Sequence, residues 1–433
     1  MFLTSLSKKN KKIEALLLYI SIFLIKIPPF YLFGFNNIFF MTHNIARIFI
    51  LIIFILIFFF DKEKIKLDFK DSLIILFFIS QSLSVLVANN LTSFFTVYKD
   101  LIFSILLYYV AFQVLTLKHS RSLLLMLLVA TIIDLTFELI TFFHPSLALH
   151  YLKPIIYEKY WIFYDFQINR QRYFGESLNE VMFILIIFIL IYQKEFFLKF
   201  FSFIASIFII FTTLVSNWRT KVILFFFNVF FSVYFYKKEV KKAWFNSFFI
   251  SLAVFLLFLL ITFSSSTNLI TSTVNRFLLK DAVDTETIIR RTTLWYYAFK
   301  MGLSSPLLGV GLGNYYDNLP SSLQQDSLSS KINRSSSFVR IDDPHNVFFS
   351  TFATSGLLGL ISLILMLTYF LINDIKYNYL IKNKLFFPLQ VVFWSFFIFS
   401  LLNPAKSFYF YAMFWFIRAW IEKLKQENFI KLR

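Results

Sequence analysis

Apolar stretches of bilayer-spanning or nearly spanning length recur along the chain, separated by short polar connections. They fall at Ile13–Phe30, Ile48–Phe60, Leu73–Ala88, Leu101–Leu117, Leu123–Phe143 and Val181–Tyr192. The series continues with Phe196–Leu214, Val222–Tyr236, Trp244–Phe263, Val347–Leu371, Leu385–Leu401 and Phe408–Trp420. About twelve such windows predict an all-α polytopic membrane protein, with residues 1–433 forming a single integral membrane domain. Polarity changes over residues 264–345, which predicts one large loop between helices 9 and 10. That loop opens on a Ser/Thr-rich stretch at Ser264–Thr273 and holds a serine-rich patch at Ser321–Ser337. A smaller loop, His144 to about Leu178, is rich in Tyr and Trp, which suit a membrane interface.

The basic residues orient this scaffold. They cluster in alternate connections, at Lys8, Lys9, Lys11 and Lys12, at Lys62, Lys64, Lys66 and Lys70, and at Lys237, Lys238, Lys241 and Lys242, with Lys423, Lys425, Lys431 and Arg433 in the tail. Positive residues stay on the cytoplasmic side, so both termini are expected to be cytoplasmic and both larger loops to face outward. Composition agrees: 58% of residues are hydrophobic, 15% are charged, and Phe alone occurs 64 times. A soluble domain has no use for that much apolar surface. The net charge of +18 would suit nucleic acid, but its distribution in short clusters between apolar runs excludes that class of partner. With no Cys, disulfides, thiolate chemistry and Cys-ligated metals drop out together. The basic start, Met1–Lys12, leads into an apolar run without a small-residue cleavage site, as in a first transmembrane helix rather than a removed signal peptide.

Candidate chemistry gathers on the outer face. Asp342-Asp343-Pro344-His345-Asn346 precedes the tenth window. Asp343 as N-cap with Pro344 at the first helical position predicts a helix start that carries His345 in its first turn. A histidine titrating near neutral pH suits proton removal from a hydroxyl, and the positive helix end favours its neutral form. The same position also suits a histidine that merely caps the helix. Asp342, Asp343 and His345 make a poor metal site, because consecutive carboxylates diverge and no second ligand cluster accompanies them. Upstream, a helix over Ile289–Leu303 would align Arg291, Trp295 and Ala298 on one face. An arginine on such a face calls for an anionic partner, and its forked donors match phosphate oxygens, although a guanidinium snorkelling to the headgroups fits equally. Arg290 points elsewhere and is the weaker candidate.

Ser216-Asn217-Trp218-Arg219-Thr220-Lys221 connects the seventh and eighth windows and is too short to leave the membrane surface. Ionisable residues at that depth are functional candidates, so Arg219 and Lys221 beside an outer-leaflet cavity would suit a diphosphate; interfacial anchoring is the plainer role. Arg172 with Asn179, at the entry to the sixth window, is a similar case. Gly309-Val310-Gly311-Leu312-Gly313 lacks the preceding strand and the lysine of a phosphate loop, and following Pro306 it reads as a tight turn.

Taken in order, these pieces resemble the O-antigen ligase and polymerase superfamily of bacterial envelope glycosyltransferases. The matching residues are Arg172-Tyr173-Phe174-Gly175 with Asn179, Ser216–Arg219, Arg291 with Trp295, Pro306 with Gly309, Gly311 and Gly313, and Pro344-His345-Asn346 with Gly356 and Gly359. One departure is Trp218, where the family often has a small polar residue. The resemblance implies a metal-independent, inverting glycosyltransferase needing no cofactor. Its donor would be a glycan on undecaprenyl diphosphate, its acceptor a sugar hydroxyl of lipid A–core, and its location the periplasmic face of the bacterial inner membrane. His345 would take the acceptor proton, and Arg219 and Arg291 would hold the diphosphate. Arg172, Lys221, Arg290, Trp295 and Asn346 would contact substrate. Within the family a ligase is favoured, because polymerases vary more around the histidine and often lack the Pro-His-Asn run. Extension of the polymer on its carrier is the alternative inside the family. Transport of a lipid-linked glycan is the alternative outside it, and would not need His345 to titrate.

Overall fold

A computed structural model describes residues 2–29, 41–60, 68–152, 162–165, 170–173, 178–215, 219–236, 282–321, 343–378, 380–381, 383–403 and 407–430. The apolar windows appear there as helices: α1 (Phe2–Lys26), α2 (Thr42–Phe60), α3 (Phe69–Leu83), α4 (Leu91–Val114) and α5 (Ser120–Phe143). After these come α6 (Phe183–Tyr192), α7 (Phe196–Val215) and α8 (Arg219–Tyr236). Then α9 (Ala282–Ser304) precedes α10 (Val347–Asn378), α11 (Phe386–Leu402) and α12 (Phe408–Ile430). The window expected at Trp244–Phe263 lies outside the described residues, as do residues 264–281 and 322–342 of the expected loop. Six described helices are long and apolar enough to cross a membrane: α2, α3, α4, α5, α7 and α10. Shorter apolar helices at Asn179–Tyr192, Thr220–Tyr234 and Phe386–Leu402 pack among them. The described residues are helical, as expected, apart from one short hairpin in the connection after α5. There β1 (Ile162–Asp165) pairs antiparallel with β2 (Arg170–Tyr173), and Arg172 lies opposite Phe163.

The first helices show why these runs fold where they do. Asp68 opens α3 with a capping box, its carboxylate accepting from the Asp71 amide while the Asp71 side chain accepts from the Asp68 amide. Asn90 opens α4 by accepting from the Ser93 amide at 3.0 Å. Apolar residues on the inward faces of α1, α2, α4, α5, α6, α11 and α12 merge into one core that includes Tyr108, Phe183, Phe393, Trp415 and Trp420. The opposite faces carry exposed Ile55, Phe58, Phe59, Phe196, Phe230 and Ile372, as lipid-facing surface does.

Charge is buried at the bottom of this core. Arg418 on α12 is fully buried and donates to both carboxylate oxygens of Asp374 on α10, at 3.0 and 2.9 Å. It also pairs with Glu422, while Lys425 reaches Asp374 at 2.9 Å and Glu422 at 3.0 Å. The Trp394 indole adds a third donor to Asp374, and the Arg418 guanidinium lies 3.9 Å from the centre of the Phe370 ring. Two cations and two carboxylates thus satisfy one another inside the protein and tie α10 to α12.

The tenth helix is broken. Gly356 takes φ 63°, ψ −160° in the middle of α10. In an unbroken helix the Leu357 and Leu358 amides would donate to the Ala353 and Thr354 carbonyls. Here they donate instead to the Pro306 and Leu307 carbonyls, at 2.7 and 3.4 Å. The freed Ala353 and Thr354 carbonyls accept from Val310 and Gly311, at 2.8 and 3.0 Å. The glycine-rich turn therefore docks backbone to backbone on the break. A Cβ on Gly309 would lie 2.4 Å from the Ala353 carbonyl oxygen, and one on Gly356 would lie 2.4 Å from the Leu307 carbonyl oxygen. The same turn is bound to the α3–α4 connection: Asn314 accepts from the Asn90 amide at 2.6 Å, and the Leu312 amide donates to Ser84 Oγ at 3.1 Å.

Two outcomes follow. Asp374→Ala leaves Arg418 and Lys425 buried with only Glu422 to share, which should cost about 3–5 kcal/mol and lower the unfolding midpoint of the purified protein in detergent. Gly356→Ala adds a left-handed non-glycine backbone, about 1–3 kcal/mol, to a direct clash with Leu307, so the folded yield on size-exclusion chromatography should fall sharply.

Candidate functional site

The segment before α10 is shaped by its own side chains. Asp343 is buried; its Oδ1 accepts from the His345 amide at 2.9 Å, and its Oδ2 accepts from Ser350 Oγ at 3.0 Å. Asn346 caps the helix, its Oδ1 accepting from the Phe348 and Phe349 amides at 3.0 and 3.3 Å. The helix start expected at Asp343 and Pro344 is therefore displaced to Asn346, and His345 stands just ahead of the first turn. The reason is local. Holding the His345 amide on the Asp343 carboxylate turns residue 345 into the left-handed region, φ 55°, where a helix cannot begin. A histidine kept in that region costs on the order of 1–3 kcal/mol, and strain of this kind collects at functional sites.

The ninth helix meets this segment from the side. Leu294, Ala298 and Met301 form its buried face and pack with Tyr315, Leu319 and Ala353. Trp295 flanks that face, stacks on Phe349 with ring centres 5.6 Å apart, and donates its indole N–H to the Pro344 carbonyl at 2.5 Å. Tyr315 donates to the Leu294 carbonyl at 2.7 Å and so fastens α9 to the glycine-rich turn. Arg291 is half-buried, one helical turn before Trp295, hence roughly 6 Å along the helix from the residue that grips Pro344. The expected alignment of Arg291, Trp295 and Ala298 therefore holds, with Ala298 and Leu294 at the centre of the packed face and Arg291 and Trp295 half-buried at its edge. Arg290 follows the same helix, but its side chain lies outside the described residues.

The third expected piece divides. Arg219 is the first residue of α8, and Arg172 lies on β2; their side chains also lie outside the described residues. Lys221 is buried and turned inward: its ammonium lies 2.8 Å from Glu138 on α5 and 3.3 Å from Glu180, just before α6. It is engaged by carboxylates within the bundle rather than facing an outer-leaflet cavity. Beside it, Lys26 at the end of α1 donates to Asn179 Oδ1 at 2.8 Å, and the Asn179 amide donates to Asp134 on α5. Lys26, Asp134, Glu138, Asn179, Glu180 and Lys221 form one buried polar cluster that binds α1, α5, α6 and α8 together. The pair Asp134 and Glu138, four residues apart within an apolar run, was the available sequence signal for it.

A further residue emerges between the histidine segment and α8. Asn403, at the end of α11, is buried and donates to Thr220 Oγ1 at 2.8 Å, while Asn346 donates to the Leu401 carbonyl at 3.3 Å. A cavity of about 60 Å³ lies beneath, lined among others by Asp343, Ser350, Thr354, Ser400, Asn403 and Tyr411. The sequence marks Asn403 only through Asn403-Pro404 after an apolar run, an ordinary turn signal. Among the described residues, no three His, Asp or Glu side chains converge as a metal site.

The apolar helices define a multi-pass membrane protein. Residues 204–364 match the family model described as O-antigen ligase, so this segment is similar to that superfamily of glycosyltransferase-like enzymes. The matched segment runs from within α7 to within α10. It includes Arg219, Lys221, Arg290, Arg291, Trp295, His345, Asn346 and Gly356, whereas Arg172 lies before it. No curated protein matches the chain.

Lys221→Met strands Glu138 and Glu180 in the bundle and should cost about 3–5 kcal/mol. The expected result is a lower folded yield in detergent and a lower unfolding midpoint for the protein that does fold.

Proposed function

We propose that the protein moves a glycan from a polyprenyl diphosphate carrier to a sugar hydroxyl of lipid A–core, on the periplasmic face of the inner membrane. The observation that carries this reading is the pairing of a strained histidine with an arginine-bearing helix. Trp295 grips Pro344, so that Arg291 and His345 are held on one assembly inside the segment that matches the O-antigen ligase family.

The chemistry is a single displacement. His345 accepts the proton of the acceptor hydroxyl as its oxygen forms a bond to the anomeric carbon of the donor. The bond from that carbon to the diphosphate oxygen breaks, and polyprenyl diphosphate leaves with the electron pair. Arg291 and Arg219 face the charge that develops on the leaving group, a task a divalent ion performs in other transferases. Attack from the face opposite the leaving group inverts the anomeric centre. Arg172 and Arg290 supply further cationic contacts to the phosphates or the glycan. Lys221 and Asn346 act at one remove, the first through the buried carboxylates and the second through the cap that orients His345.

A deletion strain should show bare lipid A–core on a lipopolysaccharide gel, with full-length polymer accumulating on the polyprenyl carrier. Complementation with His345→Ala or His345→Gln should reproduce that phenotype at normal protein levels, given losses of about a hundredfold or more when a general base is removed. Core capped by a single repeat unit would instead assign polymer extension. Unchanged glycans with both substitutions would remove any glycosyltransferase role and leave transport.

A further inference from the structure

The two halves of the proposed site belong to different helices. His345 precedes α10, and Arg219 opens α8. One short segment at the end of α11 touches both sides. The Leu401 carbonyl receives the Asn346 amide at 3.3 Å, and two residues later Asn403 donates to Thr220, the neighbour of Arg219, at 2.8 Å. Asn403 and Thr220 are each 4% exposed, so this bond is shielded from competing water. The Asn403 amide closes α11 on the Phe399 carbonyl at 2.9 Å, which fixes the side chain to a helix end rather than to a free loop.

The helices do not need this bond to stay together. About two turns deeper, Asn228 on α8 donates to Ser395 on α11 at 3.0 Å, both buried, and α8 and α11 pack along their length. The deep contact holds the pair; the outer one sets where the mouth of α8 stands relative to the histidine. Lys221, next along α8, is pinned to Glu138 and Glu180 on the far side, so the first turn of α8 is clamped from two directions.

We propose that Asn403 is a positioning residue which, through Thr220, holds the diphosphate-binding mouth of α8 in register with the proton acceptor at His345. The inference rests on the glycan-transfer reading above. Loss of the bridge leaves each half able to bind its own group and spoils only their alignment. Its signature is a lower turnover with donor binding retained, since a displacement of about 1 Å between reacting groups costs on the order of a hundredfold.

The experiment uses the full chain in phospholipid vesicles. It reads release of polyprenyl diphosphate from a polyprenyl-diphosphate-linked glycan in the presence of lipid A–core, together with binding of undecaprenyl diphosphate alone. Asn403→Ala and Thr220→Val should each lower turnover by about ten- to a hundredfold with undecaprenyl diphosphate binding unchanged. The double variant should be no slower than the slower single one, as for two ends of one interaction. Thr220→Ser, which keeps the acceptor oxygen, should restore turnover. Ser395→Ala, which removes the deeper contact between the same helices, should turn over normally. Additive losses, parallel loss of diphosphate binding, or an equal loss in Ser395→Ala would overturn the positioning role while leaving the transferase intact. A wild-type protein that releases no polyprenyl diphosphate would instead bring down the functional reading and this inference with it.

Discussion

The exchange of backbone hydrogen bonds at Gly356 is the constraint on which the placement of α9 and the histidine segment depends. An apolar helix cannot open inside a membrane unless its freed carbonyls and amides find partners. The segment from Pro306 to Gly311 supplies partners for the Ala353 and Thr354 carbonyls and the Leu357 and Leu358 amides, at a separation that only glycine allows at 309 and 356. That contact fixes the turn, the turn carries Tyr315 to α9, and α9 brings Trp295 and Arg291 to the segment of His345. A break in one helix is thereby converted into the placement of a second helix across its mouth.

Strain and support at the histidine are two sides of one arrangement. The left-handed backbone at His345 persists because Asp343, Asn346 and Trp295 each hold a different atom of the segment. Asp343 is itself held by Ser350 from the helix it precedes. The imidazole is thus carried on backbone whose position is determined from three directions, as a group that must meet a hydroxyl within hydrogen-bond reach requires.

Much of this was legible in the chain. The apolar windows that fall within the described residues are helices, because run length and hydropathy act locally, and the α9 face with Arg291 and Trp295 follows from spacing alone. The glycines at 309, 311 and 313 were visible as a turn after Pro306, but their partner lies some forty residues on, and no local pattern announces a long-range backbone exchange. The helix start went to Asn346 rather than Asp343 because a side-chain bond to the His345 amide outweighed the Asp-Pro signal. The local sequence around Lys221 points to a diphosphate contact beside a cavity and not to an internal ion pair, since its partners Glu138 and Glu180 come from distant parts of the chain. The hairpin containing Arg172 is too short to carry a strand pattern of its own. Asn403 had no local signal beyond a turn, because its meaning lies entirely in what Thr220 presents to it.

The charge cluster beneath the core bears on how the chain is made. Asp374 belongs to α10, but the cations that neutralise it, Arg418 and Lys425, belong to α12. During synthesis the acidic residue is made before either of its partners. This part of the bundle is therefore completed only when α12 has been added, and a chain cut between α10 and α12 would keep the acid and lose both cations.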